Sequence, residues 1–66
     1  MTEEKIREVK ERLNRRYREY IDEGYSPNFS TRQTRIEIIS ELKDEGLRSN
    51  EAVWLIQEAR ELKNEK

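Results

Sequence analysis

Glycine occurs twice in this chain, at Gly24 and Gly46, and each closes a stretch whose apolar residues recur at helical spacing. Glycine enters the left-handed conformation that ends a helix without a Cβ penalty, so both positions read as the residue just past a C-cap. Two such stops in a chain of 66 residues leave room for three helices. The expectation is an all-α, three-helix bundle with helices at about 3–23, 31–45 and 50–64, residues 1–66 forming one helical domain.

Each segment carries its own signals. In the first, Ile6, Val9, Leu13, Tyr17, Tyr20 and Ile21 stay within a stripe of about 120°, as a helix burying one face requires. Thr2 can cap its start, and Glu3 and Glu4 suit the positive helix end. Glu3–Arg7, Glu8–Arg12, Glu11–Arg15 and Arg18–Asp22 are opposite charges at i,i+4. Tyr25-Ser26-Pro27-Asn28 reads as a turn. Ser30 and Gln33 have the spacing of a capping box for the second helix. Ile36, Ile38, Ile39 and Leu42 follow over an arc near 160°, wide enough for a middle helix that touches two neighbours. Beyond Gly46, Leu47 falls where a Schellman motif sets an apolar contact against Leu42. Ser49 reads as the cap of the third helix, whose inner face is Ala52, Leu55, Ile56, Ala59 and Leu62, with Val53 at its edge. Lys63 and Lys66 suit its negative end.

Composition narrows the function classes. Cysteine and histidine are absent, which excludes disulfides, thiolate chemistry, the usual zinc sites and histidine-based triads. No cofactor, metal site or catalytic residue is expected, and the chain reads as no enzyme. Glu41 and Glu45 are neighbouring carboxylates at i,i+4, but among 15 acids and 14 bases such a spacing arises freely as surface ion pairing. No apolar run approaches the 18 or so residues needed to span a bilayer, and TEEKIREVKERL is no signal peptide. A cytoplasmic protein is the default expectation. Apolar residues are 32 % and charged residues 44 %. A core this small rarely supplies more than roughly 3–5 kcal/mol, which favours association with a partner or with itself.

Three features stand out as candidates for binding. Trp54 points about 160° away from Ala52 on the helical wheel, towards Gln57, Glu58 and Glu61. It either covers Tyr25 or Phe29 in the preceding loop or contacts a partner. Arg32 and Arg35 stand at the positive end of the expected second helix, and Asp44 and Glu45 at its negative end, both against the macrodipole. Asp22 and Glu23 could offset the first mismatch by pairing with Arg32 and Arg35. Finally Arg12, Arg15, Arg16 and Arg18 lie close together around Tyr17, and with Arg32 and Arg35 they could form a patch for phosphate or an acidic partner. The alternative is a solvated face whose arginine stems cover tyrosines.

Gly46-Leu47, Ala52-Val53-Trp54-Leu55-Ile56 and Ala59-Arg60 resemble the turn and third helix of homeodomain-like helix-turn-helix domains. That resemblance implies a three-helix bundle whose last helix enters the DNA major groove. In this chain Trp54 stands in place of the family's adenine-reading asparagine, and Glu58 and Glu61 in place of its flanking basic residues. Asn28-Phe29-Ser30-Thr31-Arg32-Gln33 is similar to the DNA-reading strand of ribbon-helix-helix repressors, which implies an intertwined dimer reading bases through Arg32. The expected function is a small non-enzymatic regulator or inhibitor working through protein–protein contacts, self-association included, with Trp54, Arg12, Arg15, Arg16, Arg32 and Arg35 as its binding residues. The alternative is a nucleic-acid-binding regulator of the helix-turn-helix or ribbon-helix-helix type.

Overall fold

The computed structural model describes residues 3–62. Within them the chain forms α1 (Glu3–Asp22), α2 (Pro27–Asp44) and α3 (Ser49–Glu61), each packed against both others: an all-α three-helix bundle. None of the helices is long and apolar enough to cross a membrane. Thr2, Lys63 and Lys66 lie outside the described residues.

Gly24 and Gly46 both adopt positive φ, +98° and +106°, and both close full Schellman motifs. After α1, the Gly24 N–H donates to the Ile21 carbonyl at 3.0 Å and the Tyr25 N–H to the Tyr20 carbonyl at 3.1 Å. After α2, Gly46 donates to Lys43 at 3.0 Å and Leu47 to Leu42 at 3.1 Å. In each case the residue after glycine folds back onto the preceding helix. Leu47 packs on the core beside Leu42, and the Tyr25 ring meets Tyr20 edge-on at 5.5 Å.

The start of α2 differs from the sequence expectation by four residues. Ser26, not Ser30, is the N-cap: it is extended (φ −68°, ψ 156°) and its Oγ accepts the Phe29 N–H at 3.2 Å. Pro27 then occupies the first helical position, where its fixed φ suits the helix and its missing N–H costs nothing. Ser30 is buried inside the helix, its hydroxyl donating back to the Ser26 carbonyl at 2.8 Å. Residues 28–33 are therefore helical, which removes the ribbon that a ribbon-helix-helix reading needs. At α3 the cap shifts by one residue. Arg48 takes the N-cap position, its N–H donating to the Glu51 carboxylate at 3.0 Å, and Ser49 is the first helical residue. The helix ends at Glu61 rather than 64, with Leu62 extended. There the Ala59 carbonyl accepts both the Leu62 N–H and the Lys10 ammonium, each at 3.3 Å.

The core is Val9, Ile38, Leu42, Ala52, Leu55, Ile56 and Ala59, with Ile6, Leu13, Ile39 and Leu47 packed around it. On α2 the buried residues are Ser30, Thr34, Ile38 and Leu42, one row at i,i+4. A row of that spacing advances slowly around the helix, so it carries Ile36 to the far side. Ile36 is 51 % exposed, a correction to its expected place in the core. The two small hydroxyl side chains take the inward positions instead. The helix is apolar on its surface and polar in part of its interior.

Candidate functional site

The arginines grouped in the sequence are separated by the fold. Arg12 and Arg16 face α2 and form the charged seam of an antiparallel α1–α2 pair. Arg12 meets Glu45 at 2.9 Å, Glu8 at 3.0 Å and Glu41 at 3.8 Å. Arg16 meets Glu37 at 2.9 Å, Glu19 at 3.2 Å and Glu41 at 3.8 Å. Lys5 extends the seam to Glu45 at 3.5 Å, and the Tyr20 hydroxyl closes its other end by donating to Glu37. Glu41 and Glu45, the spaced carboxylates of the sequence, are thus bound to cations. Of the four i,i+4 pairs expected along α1, Arg7–Glu3 and Arg12–Glu8 form. Arg15 lies beside the seam, in a small depression between Arg12, Arg16, Glu19, Ile38 and Glu41.

This seam sets how the fold responds to pH. Hydrogen bonding to Arg12 holds the Glu45 pKa below its ordinary 4.5, against a smaller opposing effect of desolvation. Desolvation works to lower the Arg12 pKa, but Glu45 and then Glu8 outweigh it and leave it raised. The hydrogen bond to Glu37 lifts Tyr20 above its ordinary 10.0. A depressed carboxylate contributes stability that is complete above its unfolded pKa and lost as pH falls through the folded one; a raised phenol does the reverse. Urea midpoints should therefore hold a plateau between roughly pH 5 and 10 and fall on both sides. Tyr20→Phe should flatten the alkaline fall and Glu45→Gln the acid one. Unchanged limbs in both variants would mean the seam does not govern them.

Arg32 and Arg35 lie elsewhere, and the fold corrects two expectations about them. Because α2 begins at Pro27, they stand in its second and third turns, beyond the reach of the macrodipole. Neither forms an ion pair with Asp22 or Glu23 among the described residues. Only the C-terminal mismatch remains, and Arg12 and Lys5 offset it at Glu45.

Arg35 instead borders an open groove of about 550 Å³ between α2 and α3, lined by Ile39, Val53, Ile56, Gln57, Arg60 and Glu61. Val53 on its α3 side is 50 % exposed, as Ile36 is on the outer side of α2. On α2, Arg32, Ile36, Ile39 and Lys43 follow at i, i+4, i+7 and i+11, a single outward stripe of which Ile39 lines the groove. Trp54 lies on the outer side of α3, next to Val53 in sequence and 43 % exposed. It makes no ring contact with Tyr25 or Phe29 among the described residues. The ring contacts among the described residues join Tyr20, Tyr25 and Phe29, with Tyr25 and Phe29 stacked at 4.8 Å, and that cluster closes the α1–α2 turn without it. Sequence reasoning missed Ile36 as a surface residue, while Val53, read at the edge of the inner face of α3, is half exposed. The available signal on α2 was the i,i+4 row of Ser30 and Thr34, hidden by the reading of Ser30 as the N-cap.

No group of three or more acids converges to hold a metal ion among the described residues. Comparison with protein-family models, with curated proteins and with solved structures finds no match.

Proposed function

We propose that this chain is a non-enzymatic interaction protein that binds another protein through the surface formed by α2 and α3. The observation that carries the reading is a groove between α2 and α3 lined by Ile39, Val53 and Ile56, with Val53 half exposed and Ile36 half exposed on the neighbouring outer stripe of α2. In a chain with only 32 % apolar residues, large aliphatic side chains outside a small core are an unusual use of scarce material. Exposed aliphatic side chains grouped at and beside a groove mark a candidate interaction site. Trp54 adds the residue type most enriched among binding hot spots. Arg12 and Arg16, which a nucleic-acid reading needs for phosphate, are held by five glutamates. A phosphate contact would have to break those pairs, so the protein partner is favoured.

A photo-crosslinking residue placed at Val53, and separately at Arg18 on α1, tests this in the organism that makes the protein. Discrete adducts should form from position 53 and not from 18. Trp54→Ala should reduce the adduct at least several-fold while leaving helical circular dichroism unchanged. Equal loss of dichroism and adduct would make Trp54 a packing residue. Absence of any adduct from position 53 would sink the reading. An adduct of twice the chain mass would identify a second copy as the partner.

A further inference from the structure

The groove differs from the rest of the molecule in charge as well as in polarity. Its lining carries Arg35 on α2 and Arg60 on α3 against one acid, Glu61, and the neighbouring outer stripe of α2 adds Arg32 and Lys43 to the same face. None of these four cations forms an ion pair among the described residues. On α1, Lys5, Arg7, Arg12 and Arg16 are paired, Lys10 donates to the Ala59 carbonyl, and Arg15 and Arg18 form no ion pair among the described residues. Four cations and one acid give this face +3. The chain as a whole has 14 bases and 15 acids, net −1, so the remainder sums to −4. One surface is thus basic and apolar on a protein that is otherwise acidic.

Resting on the reading that α2 and α3 form the binding surface, we infer that the groove takes an acidic amphipathic α-helix from a different protein. Charge decides between the occupants. A second copy placed face to face would set +3 against +3. A copy presenting its acidic remainder would offer the exposed aromatic rings of Tyr17, Tyr25 and Phe29 in place of an aliphatic stripe at helical spacing. A nucleic acid would meet four cations beside a remainder that repels it, and would leave Ile36 and Val53 without apolar partners. A helix with aliphatic residues at i, i+3, i+4 and i+7 and carboxylates flanking them satisfies both properties of the groove at once. It would lie between two helices as a further member of the layer. α3, with 13 residues, sets the matching length at about three to four turns. Arg35 and Arg60, on opposite borders, would bracket it and disfavour a basic helix of the same shape.

Two synthetic peptides of about four helical turns test this, with identical leucine spacing and with either glutamate or lysine at the flanking positions. Binding is followed by nuclear magnetic resonance on the labelled full chain at low salt. The glutamate peptide should bind about tenfold or more tightly than the lysine peptide, moving the amide signals of Ile36, Ile39 and Val53. The double variant Arg35→Glu, Arg60→Glu, with its helical dichroism checked, should invert that preference. Equal affinity for the two peptides, a preference for lysine, or signals moving only on α1 would each overturn the inference. So would binding of neither peptide at millimolar concentration. Crosslinks from Val53 combined with any of those results would leave the interaction surface standing and remove only the acidic helix as its occupant.

Discussion

Leu42→Ala should leave most of the protein unfolded at room temperature, while Ile36→Lys should change its stability by no more than about 0.5 kcal/mol. The two residues lie on the same helix, are similar in size and were both expected in the core. Leu42 is fully buried among Val9, Ile38, Leu55 and Ala52, and the turn residue Leu47 packs against the same cluster. Deleting its side chain costs the transfer free energy of the lost methylenes and leaves a cavity, together about 2–5 kcal/mol. A single core of this size supplies roughly 3–5 kcal/mol in total, so the loss is comparable to the whole. Ile36 already has half its surface in water on the outer side of α2, and a lysine there extends into solvent. Urea titration followed by circular dichroism checks both variants. A loss below about 1 kcal/mol for Leu42→Ala would show that the site collapses and refills. A loss above about 1 kcal/mol for Ile36→Lys would show that Ile36 supports the core and is no binding residue.

That contrast also marks where the sequence was legible. The two helix stops were readable because glycine at C′ is a local geometric requirement, and both Schellman motifs form as the spacing of Gly24–Tyr25 and Gly46–Leu47 requires. The inner faces of α1 and α3 were largely readable because each helix has one apolar stripe, and Val9, Ala52, Leu55, Ile56 and Ala59 are all buried, although Tyr17 in the α1 stripe is exposed. α2 was not readable in the same way. Ser30 reads as the cap and Ser26-Pro27 as part of a turn, whereas Ser26 is the N-cap and Pro27 marks the first helical position. Starting the helix at Ser30 put Arg32 and Arg35 in the first turn and created a dipole mismatch that the true start removes. Tertiary packing then chose the Ser30–Thr34–Ile38–Leu42 row over the isoleucines, because the position of a buried row follows from neighbouring helices and not from hydropathy alone. The arginine cluster was legible as a cluster but not as to its partners. Glu37, Glu41 and Glu45 lie more than 20 residues away in the chain, and only the antiparallel register brings them to Arg12 and Arg16.

Thr34→Val should stabilise the protein by about 1–2 kcal/mol, the largest gain expected from any single substitution in this core. Thr34 is 3 % exposed, and its Oγ1 has no hydrogen-bond partner among the described residues. A buried hydroxyl without a partner retains its full desolvation penalty, whereas a methyl group in its place has none. Valine keeps the shape and the β-branch, and its helix propensity is close to that of threonine, so neither a cavity nor a backbone term opposes the gain. Ser30 supplies the internal comparison. It is equally buried and only one turn away, but its hydroxyl donates to the Ser26 carbonyl at 2.8 Å. Removing that group in Ser30→Ala exchanges a satisfied hydrogen bond for better helix propensity, and the result should lie near zero. Both residues face the core, on the opposite side of α2 from Ile36, so neither substitution should alter affinity at the groove. If Thr34→Val destabilises by more than about 0.5 kcal/mol, its hydroxyl is bonded after all. If it stabilises but also weakens binding, the rotation of α2 that sets Thr34 inward and Ile36 outward is not fixed by the core, and the surface proposed for the partner helix moves with it.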